Sequence, residues 1–144
     1  MTEARRPALY APISLGELAD RVSILDIKLQ RVRDPGKRVH VQEEHALLRE
    51  LLLAQGIDPA SPAYLSLLAV NEGLWDLENR IRAKESEQAF DGEFVEIARG
   101  IYRLNDERHA LKRALDLEHG SPLIGEKEYG IEYTFARARG SSWE

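Results

Sequence analysis

VNEGLWDLENRIR, Val70 to Arg82, carries two parallel stripes when read at helical spacing. Leu67, Val70, Leu74, Leu77 and Ile81 recur every three or four residues, the pattern of a helix face turned to a core. One step further round run Tyr64, Leu68, Asn71, Trp75, Glu78 and Arg82. An amide, a carboxylate and a guanidinium share that second stripe with a tryptophan. The first stripe predicts the fold, and the second is where a function would lie.

Working outward, the third helix begins at Ser61-Pro62, an N-cap followed by a first-turn proline, and runs to about Ser86. Asp91 caps a fourth helix that ends near His119 before Gly120, with Phe90 stapled to Val95. Ile97, Ile101, Leu104, Leu111 and Leu115 form its seam, and Arg108 interrupts it. The first helix opens on Ser14 and Glu17 in a capping box, with Ile13 and Leu18 as the hydrophobic staple. Leu15, Leu18, Val22, Leu25, Leu29 and Val32 then repeat with three-four spacing. Arg33 to Lys37, RDPGK, breaks that helix, and a second is expected from about Val39 to Gln55.

Four long helices with short connections predict an all-α, antiparallel four-helix bundle over residues 1–120. Residues 121–144 are different in kind. Ile131, Tyr133 and Phe135 alternate with polar residues, as in a short strand or an extended arm. A lone strand has nothing to pair with, so this C-terminal arm is expected to pack on the bundle or on a partner subunit.

Composition narrows the function classes. Lys and Arg number 20 against 25 Asp and Glu, a net charge of -5, which gives no basic face for nucleic acid and no basic membrane anchor. No segment approaches the roughly 20 apolar residues of a membrane helix, and no apolar stretch of signal-peptide length follows Arg5 and Arg6. Cysteine is absent, which suits a reducing cytoplasm and removes disulfides, thiolate nucleophiles and thiolate metal sites. His40 and His45 in HVQEEH are five apart and diverge on a helix, and Asp106 with His109 lacks the second motif of a dinuclear site. No metal or other cofactor is expected, and His45 reads as a seam-edge residue bonded to a neighbour. Phosphate-cradle and nucleophile-elbow motifs are also missing.

Ile24 and Ile27 sit on the side of the first helix away from its seam. A helix apolar on two sides is usually buried on two sides. The arm, a neighbouring helix or a second copy could cover it, and a homodimer is the expectation.

The polar stripe has a counterpart on helix four. Asn105, Arg108 and Lys112 share one line, beside Arg99, Tyr102, Asp106, His109 and Arg113. In an antiparallel hairpin the two sets face each other, and Glu78 would pair with Arg108 or Arg82 with Asp106. Glu17, Asp20, Arg21 and Lys28 lie on the polar flank of helix one. Interhelical salt bridges that fix register are one reading. The other is a pocket, with Tyr64, Trp75 and Tyr102 as aromatic walls and Asn and Arg donors for an anionic or planar ligand. The expected activity is a non-catalytic binding or interaction module that engages a protein partner or an anionic small molecule. Its ligand-binding candidates are Tyr64, Asn71, Trp75, Glu78, Arg82, Arg99, Tyr102, Asn105, Asp106, Arg108 and Lys112. A small enzyme using Glu78 or Asp106 as acid–base beside arginine is the competing class.

The segments APISLGELADRVSILDIKLQRV, VNEGLWDLENRIRAKE, FVEIARGIYRLNDERHALKR and GSPLIGEKEY together resemble an uncharacterised bacterial family of about this length. The V-N-x-x-L-W and N-D-x-R elements carry the likeness, which spans Pro12 to Tyr129 and is poor from Val39 to Ala63. That resemblance implies a small helical protein and transfers no catalytic residue. A looser, fold-level likeness of the first helix is to all-helical chorismate mutases, whose first-helix arginine and later lysine have no placed counterpart here.

Overall fold

The computed structural model describes residues 4–131, and Tyr133, Phe135 and Trp143 lie outside them. Four helices are present: α1 (Leu15–Arg31), α2 (Pro35–Ala54), α3 (Pro62–Ser86) and α4 (Gly92–Glu118). Each starts on a side chain that accepts a backbone N–H three residues on. Ser14 accepts from Glu17, Asp34 from Lys37, Ser61 from Tyr64 and Asp91 from Phe94. The second helix therefore begins four residues before the expected Val39. Asp34-Pro35 is the same cap-plus-proline signal as Ser61-Pro62, so RDPGK ends one helix by starting the next.

The loops are tied as firmly as the caps. Arg38 Nη1 donates to the carbonyls of Leu29 and Val32 at 2.6 and 2.8 Å, satisfying orphan acceptors at the end of α1. The helices α2, α3 and α4 each end in a Schellman turn, with Gly56, Gln88 and Gly120 at positive φ.

Contacting pairs give the directions. Between α3 and α4, Lys84 meets Asp91, Arg80 meets Glu93, Leu77 lies over Gly100 and Leu104 over Gly73. One index falls as the other rises, the order of antiparallel neighbours. The same order relates α1 to α4, where Glu17 meets Lys112 and Asp20 meets Arg108.

Helix α1 is the centre of the bundle. It packs against all three others, whereas the α2 backbone approaches α1 alone. Leu18, Ala19 and Val22 of α1 meet Leu52 of α2, Tyr64 and Leu67 of α3 and Leu115 of α4 in one cluster, with Ile57. Only Leu52 is fully buried on α2, whose Leu47, Leu51 and Leu53 are exposed. Ile27 is buried and Ile24 half-buried, so the second apolar side of α1 is covered by a neighbouring helix.

No strand occurs among the described residues. The described part of the arm turns back along α4. Ser121 Oγ accepts from Leu15 N–H at 3.2 Å, Gly125 N–H donates to Asp116 at 3.0 Å, and Lys127 pairs with Asp106 at 2.8 Å.

Candidate functional site

Asp20 lies four residues before Ile24 and seven before Ile27, on the same stripe of α1. That stripe faces α3 and α4, so the carboxylate is carried inward and is only 1% exposed. A buried carboxylate must be paired and hydrogen-bonded. Arg108 Nε donates to its Oδ1 at 2.8 Å, and Arg108 Nη2 to its Oδ2 at 2.5 Å. Asn71 Nδ2 donates to the same Oδ1 at 3.0 Å and to Ser23 Oγ at 2.8 Å. Ser23 Oγ in turn donates to the Asp20 carbonyl at 2.7 Å. Burial pushes the Asp20 carboxyl up, but the Arg108 and Asn71 bonds and the Arg108 and Lys112 charges outweigh it and hold it below its usual value. The Arg108 guanidinium is correspondingly raised by its bond to Asp20. At neutral pH both partners are ionised.

The Nε and Nη2 edge of Arg108 is committed to Asp20, and Arg108 is also among the residues lining a cleft of about 330 Å³. Ile24 and Ile27 of α1 and Leu74 and Trp75 of α3 make the apolar side of that cleft. Asn79 and Asn105 bring amide donors and acceptors, Asn71, whose two N–H donors are spent on Asp20 and Ser23, brings its carbonyl oxygen, and Glu78 brings a carboxylate. Arg31 lies 6.0 Å above the Trp75 ring and is paired with Asp76 at 2.5 Å, so the indole is braced from outside. The cleft can take a small flat molecule and offers a fixed cation at one end.

Five of the eleven sequence candidates therefore come together: Asn71, Trp75, Glu78, Asn105 and Arg108. Lys112 lies beyond Arg108, bonded to Glu17 at 2.6 Å, and lines a neighbouring cleft with Asn105 and Arg108. The remaining five are elsewhere. Tyr64 is not a pocket wall but a core residue whose hydroxyl donates to Asp26. Burial first, and then Asp26, push its phenol well above the usual range. Arg82 is an exposed residue paired with Glu78 at 3.2 Å, Arg99 pairs with Glu96, Tyr102 is exposed, and Asp106 takes Lys127.

Both expected interhelical pairs are corrected. Glu78 meets Arg82 because the two lie one turn apart on α3, glutamate first, the favoured order. Arg108 turns instead toward α1, the helix that α4 also packs on. Asp20 is the residue the sequence reading undervalued. Its signal was present, a carboxylate on the very stripe that Ile24 and Ile27 mark as buried. Asn79, His109, Lys127 and Tyr129 were also outside the candidate set.

A second polar cluster sits across α1. Asp26 accepts from Tyr64 of α3, and His45 Nε2 of α2 lies 2.7 Å from its other oxygen. The expected neighbour of His45 is thus Asp26, and the cluster ties three helices together. Among the described residues, no three His, Asp or Glu side chains come together as a metal site, and no helix is long and apolar enough to cross a membrane.

The model of a family of unknown function, DUF6165, matches residues 9–141. The chain belongs to that family. The match covers both helical hairpins and the segment that turns back along α4, so the Asp20–Arg108 pair and the Trp75 cleft lie wholly within the DUF6165 region. No curated protein and no solved structure matches the chain.

Proposed function

We propose that the protein is a non-catalytic binding module that takes a small, flat, anionic molecule into the Trp75 cleft. The single observation behind this reading is the bidentate Asp20–Arg108 pair, which sets a guanidinium at the end of a cleft walled by tryptophan and three asparagines. A pre-oriented arginine loses little freedom on meeting a carboxylate or phosphate. Glu78 is the carboxylate that lines this cleft, so an enzyme reading would assign it as general base.

The test uses Trp75 as reporter in a Trp143→Phe background. Benzoate and indole-3-acetate are titrated while fluorescence is followed. Saturable quenching that Trp75→Leu abolishes in a parallel calorimetric titration supports the reading. Absence of binding for both acids, or binding that survives Trp75→Leu, refutes it.

The same reading takes the protein to be a cytoplasmic homodimer. Support for the pair comes from the exposed Leu47 and Leu51 of α2, one turn apart on the helix whose backbone approaches α1 alone among the described helices, rather than from Ile24 and Ile27. Light scattering should give twice the 16.3 kDa chain mass, and Leu47→Glu with Leu51→Glu should return it to one.

A further inference from the structure

Arg108 lines two clefts: the Trp75 cleft and a second one of about 340 Å³, which share Asn105 and Arg108 as a common wall. His109, Lys112 and Lys127 line the rest of the second cleft, with Tyr129 from the segment that turns back along α4. Among the described residues, no carboxylate and no aliphatic side chain contributes to this lining. Glu17, Asp20 and Asp106 hold its cations from behind, at 2.6 Å for Lys112, 2.5 Å for Arg108 and 2.8 Å for Lys127. Lys112 is bonded to Glu17 and lies 3.8 Å from Asp20, and Lys127 is bonded to Asp106; an ammonium group has three N–H donors, so each lysine keeps at least one for a ligand. Lys127 is also fixed from the side, 4.8 Å from the Tyr129 ring centre.

Two adjacent clefts of opposite character, joined at an arginine, describe a ligand with two ends. The ring-shaped end needs a flat face for Trp75 and edge groups for Asn71 and Asn79. The charged end is lined by Arg108, Lys112 and Lys127, each held by a carboxylate yet keeping N–H donors, which together exceed what one carboxylate ligand would use. A phosphoryl group carries close to two negative charges and three acceptor oxygens, which suits Arg108, Lys112 and Lys127 together. We infer that the ligand is a phosphorylated flat-ring compound of the nucleotide class, its ring on Trp75 and its phosphate in the Lys112–Lys127 cleft with Arg108 at the joint. This rests on the proposed function, since it takes the Trp75 cleft as the ring site.

The experiment titrates the full chain with AMP, adenosine and inorganic phosphate by isothermal calorimetry. AMP should bind at least roughly tenfold tighter than adenosine, the worth of one charge-assisted hydrogen bond or more. Lys127→Gln, at the cleft rim and outside the core, should remove that margin and leave adenosine unchanged. Trp75→Leu should weaken AMP and adenosine alike and leave phosphate unchanged. Equal binding of AMP and adenosine, no binding of AMP, or a margin that survives Lys127→Gln overturns the phosphate site. Binding of benzoate and indole-3-acetate would then still stand or fall on its own. Conversely, AMP binding indifferent to Trp75→Leu would remove the ring site and with it the reading of the first cleft.

Discussion

Arg108 and Asp20, 88 residues apart in the chain, are joined by two parallel hydrogen bonds of 2.8 and 2.5 Å. That fork fastens α4 to the central helix. Arg108 also lines the Trp75 cleft, so one residue serves both the scaffold and the candidate site.

Removing the arginine alone strands a buried carboxylate. Arg108→Ala should therefore cost about 3 kcal/mol in urea unfolding, the lower end for a broken buried pair because the arginine side chain is 30% exposed. Replacing both partners, Asp20→Leu with Arg108→Met, should recover most of that loss and at the same time abolish ligand binding. A cost below about 1 kcal/mol for Arg108→Ala would show that Asp20 is solvated and that the pair holds little.

Acid should release the same fastening. Asp20 and Glu17 both have carboxyls held below their usual values, in each case because lysine or arginine partners outweigh burial. A group lowered in the folded state stabilises fully above its unfolded value, near about 4, and loses that contribution as pH falls through the folded one. Urea midpoints should be level from neutrality to about pH 5 and drop below about pH 4. Asp20→Asn should start lower at pH 7 and fall less steeply. An unchanged slope in that variant would sink the assignment.

Gly16 marks a close approach of α1 and α4. A Cβ there would lie 2.1 Å from the Lys112 carbonyl oxygen, and the Gly16 N–H donates to buried Asp116 at 2.6 Å. Since the obstacle is backbone, the helices must separate, and Gly16→Ala should cost about 3 kcal/mol or more. A thermal melt within a few degrees of the parent would contradict this packing.

One substitution should stabilise. Gln88 occupies the left-handed position of the Schellman turn after α3, at φ 53°, where Gly56 and Gly120 serve α2 and α4. Gln88→Gly relieves the Cβ strain at a small entropic cost, for a net gain of about 0.5–1 kcal/mol. A loss of stability on urea unfolding would mean that the glutamine side chain contributes something the turn geometry does not show.

Ser14, Ser61 and Asp91 were legible as caps, and Leu18, Val22, Leu67, Leu74 and Leu115 as core, because each depends on residues within two turns of helix. Caps are bonds to the third residue on, and seams are sums over one face, so both are written locally. Asp34-Pro35 obeys the same rule, although RDPGK by itself reads as a helix breaker. What only the tertiary structure decided is which helix lies at the centre. Once α1 is surrounded on three sides, Asp20 becomes buried, Ile27 becomes core, and Arg108 turns to α1 instead of Glu78. That choice depends on close approach between Gly16 and Lys112 and on register between segments far apart in sequence, neither of which has a local signature. The polar stripe of α3 and α4 was therefore readable as residue types. Its division into two clefts sharing Arg108 was set by tertiary packing, α1 and α3 lining one with α4 and the segment after α4 lining the other.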